Sequence, residues 1–189
     1  KVLFCGYHGW HDWYQAANIG AERLADHLFN GIEPIGVPRA LEGTAMPFGY
    51  GDLEALEHLL IEHQGDVACV IMEPMRSVEP PAGYLAGVRE LASRYGVILI
   101  FDEVSSGFRI ALGGAQEYAG VTPDLSVFAK AISNGYPMGV VVGQREFMEP
   151  AEQMFISSAY WDDNIGVAAS LVTLRELAKR NAVAHFNCI

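Results

Sequence analysis

The sequence predicts an α/β fold in which a mainly parallel sheet is flanked by helices. Short apolar runs alternate along the chain with longer segments whose apolar residues recur at helical spacing. The short runs are continuously apolar, as is typical of strands buried in parallel sheets. The crossovers that join such strands are expected to be right-handed.

The first clear helix and strand lie between residues 52 and 72. Leucines recur at helical spacing over 53–60, Asp52 is suited to cap the helix, and Gly65 is suited to end it. The apolar run at 67–72 is bounded by Asp66 and Pro74. It predicts a strand that is buried on both faces.

A second helix and strand follow directly. Apolar residues from Leu85 to Tyr95 share one helical face, and Gly96 is expected to be the C-cap. The run Val-Ile-Leu-Ile-Phe at 97–101 is the strongest strand signal in the chain, because it is short, uninterrupted and rich in β-branched residues.

The remaining elements are predicted from weaker patterns. Strands are expected at 125–129 and 140–142, and a longer helix from about Val167 to Arg180. The stretch 31–51 is rich in Pro and Gly, so it predicts a long loop with a short strand around Ile35.

Composition narrows the functional classes. The 189 residues suit a single domain, taken as 1–189. A net charge of −11 argues against a nucleic-acid partner or an anionic membrane surface, which basic patches bind. No apolar run reaches the length of a membrane span. Three scattered cysteines suit neither a disulfide framework nor a zinc site, so a cytoplasmic location is expected.

Three predicted strands are each followed by an ionisable side chain. Glu73 follows the strand at 67–72, Asp102 follows 97–101, and Lys130 follows 125–129. Ligands of open parallel sheets bind beyond the carboxyl ends of the strands. The sequence therefore predicts a site of two acids and one amine at one edge of the sheet.

Lys130 is one of only three lysines and stands within an apolar stretch. We expect this apolar setting to enclose its amine. Burial would then disfavour the charged form of the lysine and leave the amine neutral. A neutral amine is the nucleophile that condenses with an aldehyde. The pattern therefore suits pyridoxal 5'-phosphate (PLP), which also needs a carboxylate at its ring nitrogen and flat contacts on both faces.

Asp102 is the candidate for that carboxylate. Val104 is expected to point the same way as Asp102 on an extended chain and to cover one face of the ring. Tyr7 is the candidate for stacking on the other face.

At this point the motifs resemble those of the class III aminotransferases. The resemblance covers the ring-nitrogen segment, the cofactor-lysine segment, the aromatic turn and a Glu-Pro pair in the pocket wall, in the family's order. The matching residues are Asp-Glu-Val at 102–104 with Gly-Phe-Arg at 107–109, residues 123–130 with Gly-Tyr-Pro-Met-Gly at 135–139, Tyr-His-Gly at 7–9, and Glu-Pro at 73–74.

The resemblance implies a PLP-dependent enzyme that transfers an amino group. Lys130 would be the Schiff-base lysine and proton shuttle, and Asp102 would hold the ring nitrogen. Val104 and Tyr7 would sandwich the ring, and Ser105 would lie near the ring hydroxyl, where relatives often carry Gln.

The resemblance also places His8, Gly9 and Glu73 in the pocket wall. It implies small-molecule amino donors and acceptors and a homodimer whose interface forms the active sites. Within the family, the chain most resembles glutamate-1-semialdehyde 2,1-aminomutase and its relatives, which include sugar-pathway and other small-molecule aminotransferases. The Trp-His-Asp-Trp segment at 10–13 fits these relatives better than it fits the ornithine or 4-aminobutyrate branches.

Two departures from the family pattern stand out. Family members are far longer and carry a phosphate-binding loop upstream of the residues matched here. We therefore expect an incomplete large domain, truncated at both ends, with 181–189 as the start of a missing C-terminal region. Where relatives place a Thr that reaches a neighbouring subunit's cofactor, this sequence has Ala159 beside Ser157 and Ser158.

Other interpretations remain open. The chain could be a non-catalytic fragment or pseudo-enzyme that acts as a structural module. His8 and His11 have a spacing that suits a metal, but no third ligand is evident, so no metal site is predicted. A generic nucleotide binder is disfavoured, because no Gly-rich phosphate motif follows a strand. Asp102 and Glu103 could simply cap a helix, and Glu73 could make a structural hydrogen bond.

Overall fold

The computed structural model describes residues 1–20, 33–186 and 188. The chain forms two compact units. The first contains residues 1–73 and 80–100, and the second contains residues 74–79 and 101–189. The boundary falls inside a strand at 98–102, so this strand contributes residues to both units.

The strands form a mostly parallel, mixed sheet flanked by helices, which confirms the fold class predicted from the sequence. The strands are β1 Val2–Cys5, β2 Ala45–Pro47, β3 Cys69–Met72, β4 Ile98–Asp102, β5 Leu125–Phe128 and β6 Val140–Gly143. The α-helices are α1 Asp12–Gln15, α2 Leu53–Glu62, α3 Tyr84–Tyr95, α4 Ala115–Ala119, α5 Arg145–Met148, α6 Asn164–Lys179 and α7 Ala182–Phe186. Single 3-10 turns occupy Ala16–Asn18, Arg39–Leu41, Lys130–Ser133 and Glu149–Gln153.

In the first unit, β1 is central and pairs in parallel with β2 on one side and β3 on the other. Helix α2 begins as predicted, because the Asp52 carboxylate accepts the backbone N–H of Ala55 at 2.9 Å. Strand β3 is shorter than predicted, because it begins at Cys69 and not at residue 67. Val70 and Met72 are fully buried, whereas Cys69 is only half-buried, so the strand is not enclosed equally on both faces.

Helix α3 ends at the predicted glycine. Gly96 adopts a left-handed conformation with φ 67°, which only glycine tolerates easily. The N–H of Val97 then bonds to the carbonyl of Ala92 at 2.9 Å, so Val97 closes the helix end instead of entering the sheet. Strand β4 therefore runs one residue later than predicted and includes Asp102.

The second unit contains the antiparallel part of the sheet. Strand β6 pairs antiparallel with β5, with Phe128 opposite Val140. Helix α6 begins three residues earlier than the apolar pattern indicated, because the Asp163 carboxylate caps it by accepting the N–H of Ile165 at 2.8 Å.

The short strand expected around Ile35 is absent from residues 33–44. Ile35 lies in an exposed turn between Pro34 and Gly36, two residues that interrupt a strand. The strand lies instead at Ala45–Pro47. The part of the prediction that concerns residues 31 and 32 falls outside the described residues. Among the described residues, no helix is both long and apolar enough to cross a membrane.

Candidate active site

Lys130 follows β5 and opens the 3-10 turn Lys130–Ser133. Its backbone φ is 48°, a left-handed conformation that costs a residue other than glycine about 1–2 kcal/mol. Phe128 and Ile132, on either side of it, are buried in one cluster with Phe108. This packing fixes the turn, and backbone strain of this kind is found most often at functional sites.

The Lys130 side chain is exposed, so the prediction of an amine enclosed by its apolar neighbours is wrong. Those neighbours turn into the core, and the lysine is left on the outside of the turn. Its ammonium nitrogen donates a hydrogen bond to Ser105 Oγ at 2.7 Å. The structure thus brings together two of the residues that the sequence assigned to the site.

Asp102 is the last residue of β4 and is half-buried. Its Oδ1 accepts the backbone N–H of Val104 at 3.1 Å. The chain turns at Val104, so the assumption of an extended backbone from Asp102 to Val104 is wrong. The carboxylate itself ends the strand by bonding to the chain two residues further on, as Asp side chains do in turns.

Glu103 caps a helix, a role that the sequence left open for it and for Asp102. It is 1% exposed, and its carboxylate accepts hydrogen bonds from Ser106 Oγ, from the N–H of Ala115 at 3.0 Å and from the N–H of Gln116 at 2.9 Å. These contacts cap α4 from a distance in sequence. Gly114 leaves room for the buried carboxylate, because a Cβ there would lie 2.7 Å from it.

In the first unit, the structure brings Glu73 and Tyr7 together. Glu73 directly follows β3, is 6% exposed, and accepts the backbone N–H of Tyr7 at 2.9 Å. Gly6 has φ 113°, and a Cβ there would lie 2.6 Å from Glu73 Oε2. The position therefore requires glycine, and Glu73 makes a structural hydrogen bond of the kind that the sequence left open.

His8 is buried in an aromatic cluster. Its ring stacks on Trp13 with centroids 6.4 Å apart and an interplanar angle of 18°. Gly9 follows with φ 94° and turns the chain into α1. The Tyr7 ring makes edge contacts with Tyr14 and Trp10. In the described part of the chain, no group of three or more His, Cys, Asp or Glu residues could hold a metal ion.

Cys5, the last residue of strand β1, has a buried thiol. Burial, followed by the negative charge of Glu73, raises the pKa of Cys5 to about 12, although a hydrogen bond with Tyr84 opposes the rise. Burial also raises the pKa of Tyr84 and, to about 12, that of Tyr50. Burial beneath the Tyr7 turn therefore favours the neutral forms of this thiol and of both phenols.

A groove of about 940 Å³ opens beside Lys130 within the second unit. Residues of the Lys130 turn, of α6 and of α7 line it, including Leu177 and Phe186, and Arg109 and Asn134 complete the lining. An amine beside such a groove is accessible to a small molecule.

The side chains of the second unit suit PLP chemically. An accessible amine stands at Lys130, a hydroxyl lies 2.7 Å from it at Ser105, and a half-buried carboxylate stands at Asp102 at the end of the preceding strand. PLP requires an amine for attachment and an acid for its ring nitrogen. The donor set of this unit therefore fits the cofactor.

Comparisons with known proteins agree with this chemistry. Residues 40–187 match the family model described as aminotransferase class-III. The chain is 38% identical over 190 residues to the 3-aminobutyryl-CoA aminotransferase of Cloacimonas acidaminovorans (strain Evry), covering 97% of this chain and 42% of that protein.

Two solved structures are similar in fold and in sequence. An omega-transaminase from Sphaerobacter thermophilus matches with a TM-score of 0.78 and 28% identity, covering 93% of this chain and 43% of that one. The FumI protein of Sphingopyxis sp. MTA144, in its PLP internal aldimine form, matches with a TM-score of 0.77 and 25% identity. The match covers 92% of this chain and 40% of that one. This chain thus spans about two-fifths of the length of these relatives.

Proposed function

Since this chain belongs to the class-III aminotransferase family, we propose that it serves the PLP-dependent transfer of an amino group. One observation carries the proposal for these residues: the Lys130 amine is accessible, lies on a strained turn at the end of β5, and is hydrogen-bonded to Ser105. A family model that matches most of the chain supports PLP as the cofactor.

Lys130 is the residue that carries the cofactor covalently in this proposal. When bound, PLP supplies an electron sink that weakens bonds at the amino-bearing carbon of the substrate. The Lys130 amine moves the proton at that carbon as a general base and then as a general acid. Ser105 orients the amine, because its Oγ accepts one of the lysine protons.

Asp102 is proposed to bind the protonated ring nitrogen. Its Oδ1 accepts the N–H of Val104, a bond that fixes the carboxylate before any ligand arrives. Val104 is proposed to cover one face of the ring. A group held in place beforehand loses little free energy when it binds, so this bond favours an ion pair with the ring.

Tyr7, His8, Gly9 and Glu73 are proposed to be further cofactor-binding residues. The hydrogen bond from Tyr7 to Glu73 supports a fixed position for the Tyr7 backbone. The stack of His8 on Trp13 supports a rigid turn. We assign Tyr7 the second face of the ring, because an aromatic ring packs well against a flat heterocycle.

The reaction type is proposed to be transfer between two small molecules, an amino donor and an amino acceptor. The name of the curated relative, 3-aminobutyryl-CoA aminotransferase, supports transfer over rearrangement within one molecule. The aminomutase branch is the second candidate, and it rests on the Trp-His-Asp-Trp segment at 10–13. A homodimer in the cytoplasm is part of the proposal.

The test is an absorbance spectrum of the purified chain mixed with PLP, before and after borohydride. We expect a visible band that reduction traps as a covalent adduct on the peptide containing Lys130. Lys130→Ala should abolish the adduct, and the matched control Lys179→Ala, which removes another exposed lysine, should retain it. An adduct that persists in Lys130→Ala contradicts the proposal.

A second measurement separates transfer from the two alternatives. An aminotransferase converts a donor only when an acceptor is present, whereas an aminomutase needs no acceptor. A structural module would bind or ignore PLP without converting either compound. Mass spectrometry of a ¹⁵N-labelled donor, with and without acceptor, distinguishes the three outcomes.

A further inference from the structure

Along the chain, Glu103 lies between Asp102 and Ser105, two residues that the proposed function uses, but Glu103 has no role of its own in that function. It directly follows Asp102 and precedes Ser105 by two residues. Its side chain is 1% exposed, so it cannot touch a ligand in the solvent. A carboxylate is seldom buried so completely unless its partners compensate for the lost hydration.

The Glu103 carboxylate is fully satisfied by donors of its own unit. Oε2 accepts from Ser106 Oγ and from the N–H of Ala115, and Oε1 accepts from the N–H of Gln116. Gly114 adds no side chain, and a Cβ there would lie 2.7 Å from the carboxylate atoms. The surrounding chain is therefore shaped around this carboxylate.

The Glu103 backbone is tied at both of its polar groups. Its N–H donates to the carbonyl of Val127 in β5 at 2.8 Å, and its carbonyl accepts the N–H of Gly107 at 2.8 Å. One residue thus connects β5, the turn at 103–107 and the start of α4. Asp102 and Ser105 lie directly before and inside this turn.

We propose that Glu103 is a positioning residue that fixes the Asp102 carboxylate and the Ser105 hydroxyl through the 103–107 turn. The proposal rests on the proposed function of Asp102 and Lys130. Glu103 acts without contact with cofactor or substrate. It holds the turn in one conformation, and the turn sets the directions of the two side chains.

Replacing Glu103 with Gln keeps the size of the side chain and removes its ability to satisfy all three donors. A glutamine amide has one acceptor oxygen and one NH₂ group, which can only donate. Placed at Oε2, the NH₂ group would face the N–H of Ala115; placed at Oε1, it would face the N–H of Gln116. In either orientation, one buried N–H loses its acceptor.

The first experiment measures backbone amide exchange in the chain without cofactor. We expect Glu103→Gln to speed exchange about tenfold or more at Val104, Gly107, Ala115 and Gln116, because local opening becomes easier. The matched control is Glu117→Gln, at an exposed carboxylate that accepts the N–H of Gly113. The amide oxygen of glutamine can still accept this one hydrogen bond, so exchange at the four positions should stay at the parent rate.

Two results decide the inference at this stage. Faster exchange in the 103–107 turn as well as in α4 supports positioning. Faster exchange at Ala115 and Gln116 alone makes Glu103 a simple helix cap and overturns it. If Glu103→Gln does not fold, Ser106→Ala removes one donor, keeps the carboxylate, and should still speed exchange at Gly107 roughly threefold. Unchanged exchange at Gly107 in that variant also overturns it.

The second experiment adds PLP. Glu103→Gln is expected to weaken PLP binding about tenfold and to change the pH dependence of the visible band, whereas Glu117→Gln leaves both unchanged. Parent-like affinity and pH dependence in a folded Glu103→Gln overturn the inference. If the parent chain itself forms no band, the proposed function fails for this chain, and the exchange experiment still decides the role of Glu103.

Discussion

The Lys130 ammonium nitrogen lies 2.7 Å from the Ser105 hydroxyl oxygen, across 25 positions of sequence. We predict that Ser105→Ala leaves stability within about 0.5 kcal/mol of the parent, because the bond is exposed. It should slow the reductive coupling of PLP to Lys130 severalfold, because the amine is no longer oriented. Ser105→Thr keeps the hydroxyl and should react like the parent. Equal coupling rates in all three proteins would show that the bond does not orient Lys130.

The left-handed backbone at Lys130 is predicted to store measurable strain. Lys130→Gly and Lys130→Ala both remove the amine, but only glycine adopts φ 48° without steric cost. We expect the glycine variant to be more stable than the alanine variant by about 1 kcal/mol in urea unfolding. An alanine variant as stable as the glycine variant would indicate that this backbone is unstrained.

Gly6 and Glu73 are predicted to be energetically coupled. Gly6→Ala places a Cβ 2.6 Å from Glu73 Oε2 and forces alanine into φ 113°, so we expect a loss of about 2 kcal/mol or more. In the double variant with Glu73→Ala the clash disappears, although the backbone strain remains. The double loss should therefore be about 1 kcal/mol smaller than the sum of the single losses. Additive losses, measured by urea unfolding, would contradict the coupling.

Alkaline pH is predicted to destabilise the chain through Cys5. The thiol has a pKa of about 12 in the folded protein and near 9.0 when unfolded, so between these values the unfolded state binds fewer protons. The contribution of the neutral Cys5 thiol to the free energy of unfolding is fully present below pH 9.0. It declines by about 1.4 kcal/mol per pH unit as the pH rises towards 12. Urea unfolding between pH 8 and 10.5 measures the slope.

A matched pair of cysteine variants tests the cause of this slope. Cys5→Ala should lower stability at neutral pH, because it leaves a small cavity, but flatten the decline above pH 9. Cys188→Ala, at an exposed position, should keep the slope of the parent. A slope that is the same with and without Cys5 would assign the alkaline loss to other groups, of which Tyr84 and Tyr50 also have raised pKa values.

The glycines at the two ends of α4 are predicted to differ in their tolerance of alanine. Gly114 has φ 81° and ψ −166°, and a Cβ there would meet the Glu103 carboxylate at 2.7 Å. Gly120 has φ 65° and open space around it. We expect Gly114→Ala to cost about 2 kcal/mol more than Gly120→Ala in urea unfolding. Equal losses would mean that the carboxylate yields easily.

The fold was predictable where a single local signal decides the structure. Asp52 and Gly96 bound their helices as the sequence indicated, because a cap residue needs only its nearest neighbours to act. The strands at Val2–Cys5 and Ala45–Pro47 were not predicted. They are short, and their pairing with each other spans more than forty residues, which no local pattern reports.

Candidate site residues could be named from the sequence, but their geometry could not. The scarcity of lysine singled out Lys130, but exposure depends on which way a turn directs a side chain, and the packing of Phe128 and Ile132 decides that. The turn at Val104 was missed because an Asp side chain competes with strand pairing for the backbone N–H two residues on. The helix that Glu103 caps could not be identified from the sequence, because its partners at 115 and 116 are distant from it along the chain.

The contacts of Glu103 also make a closed loop of the residues between Gly107 and Ala115, since both ends are tied to the same glutamate. Ile110 lies between the buried Phe108 and Ala111, whose carbonyl accepts the N–H of Gly114, and it forms a spacer whose length does not affect either tie. Doubling the length of such a spacer costs only about 0.6 kcal/mol of closure entropy. Insertions there should be tolerated, which gives protein engineers a segment that can change length without moving Asp102.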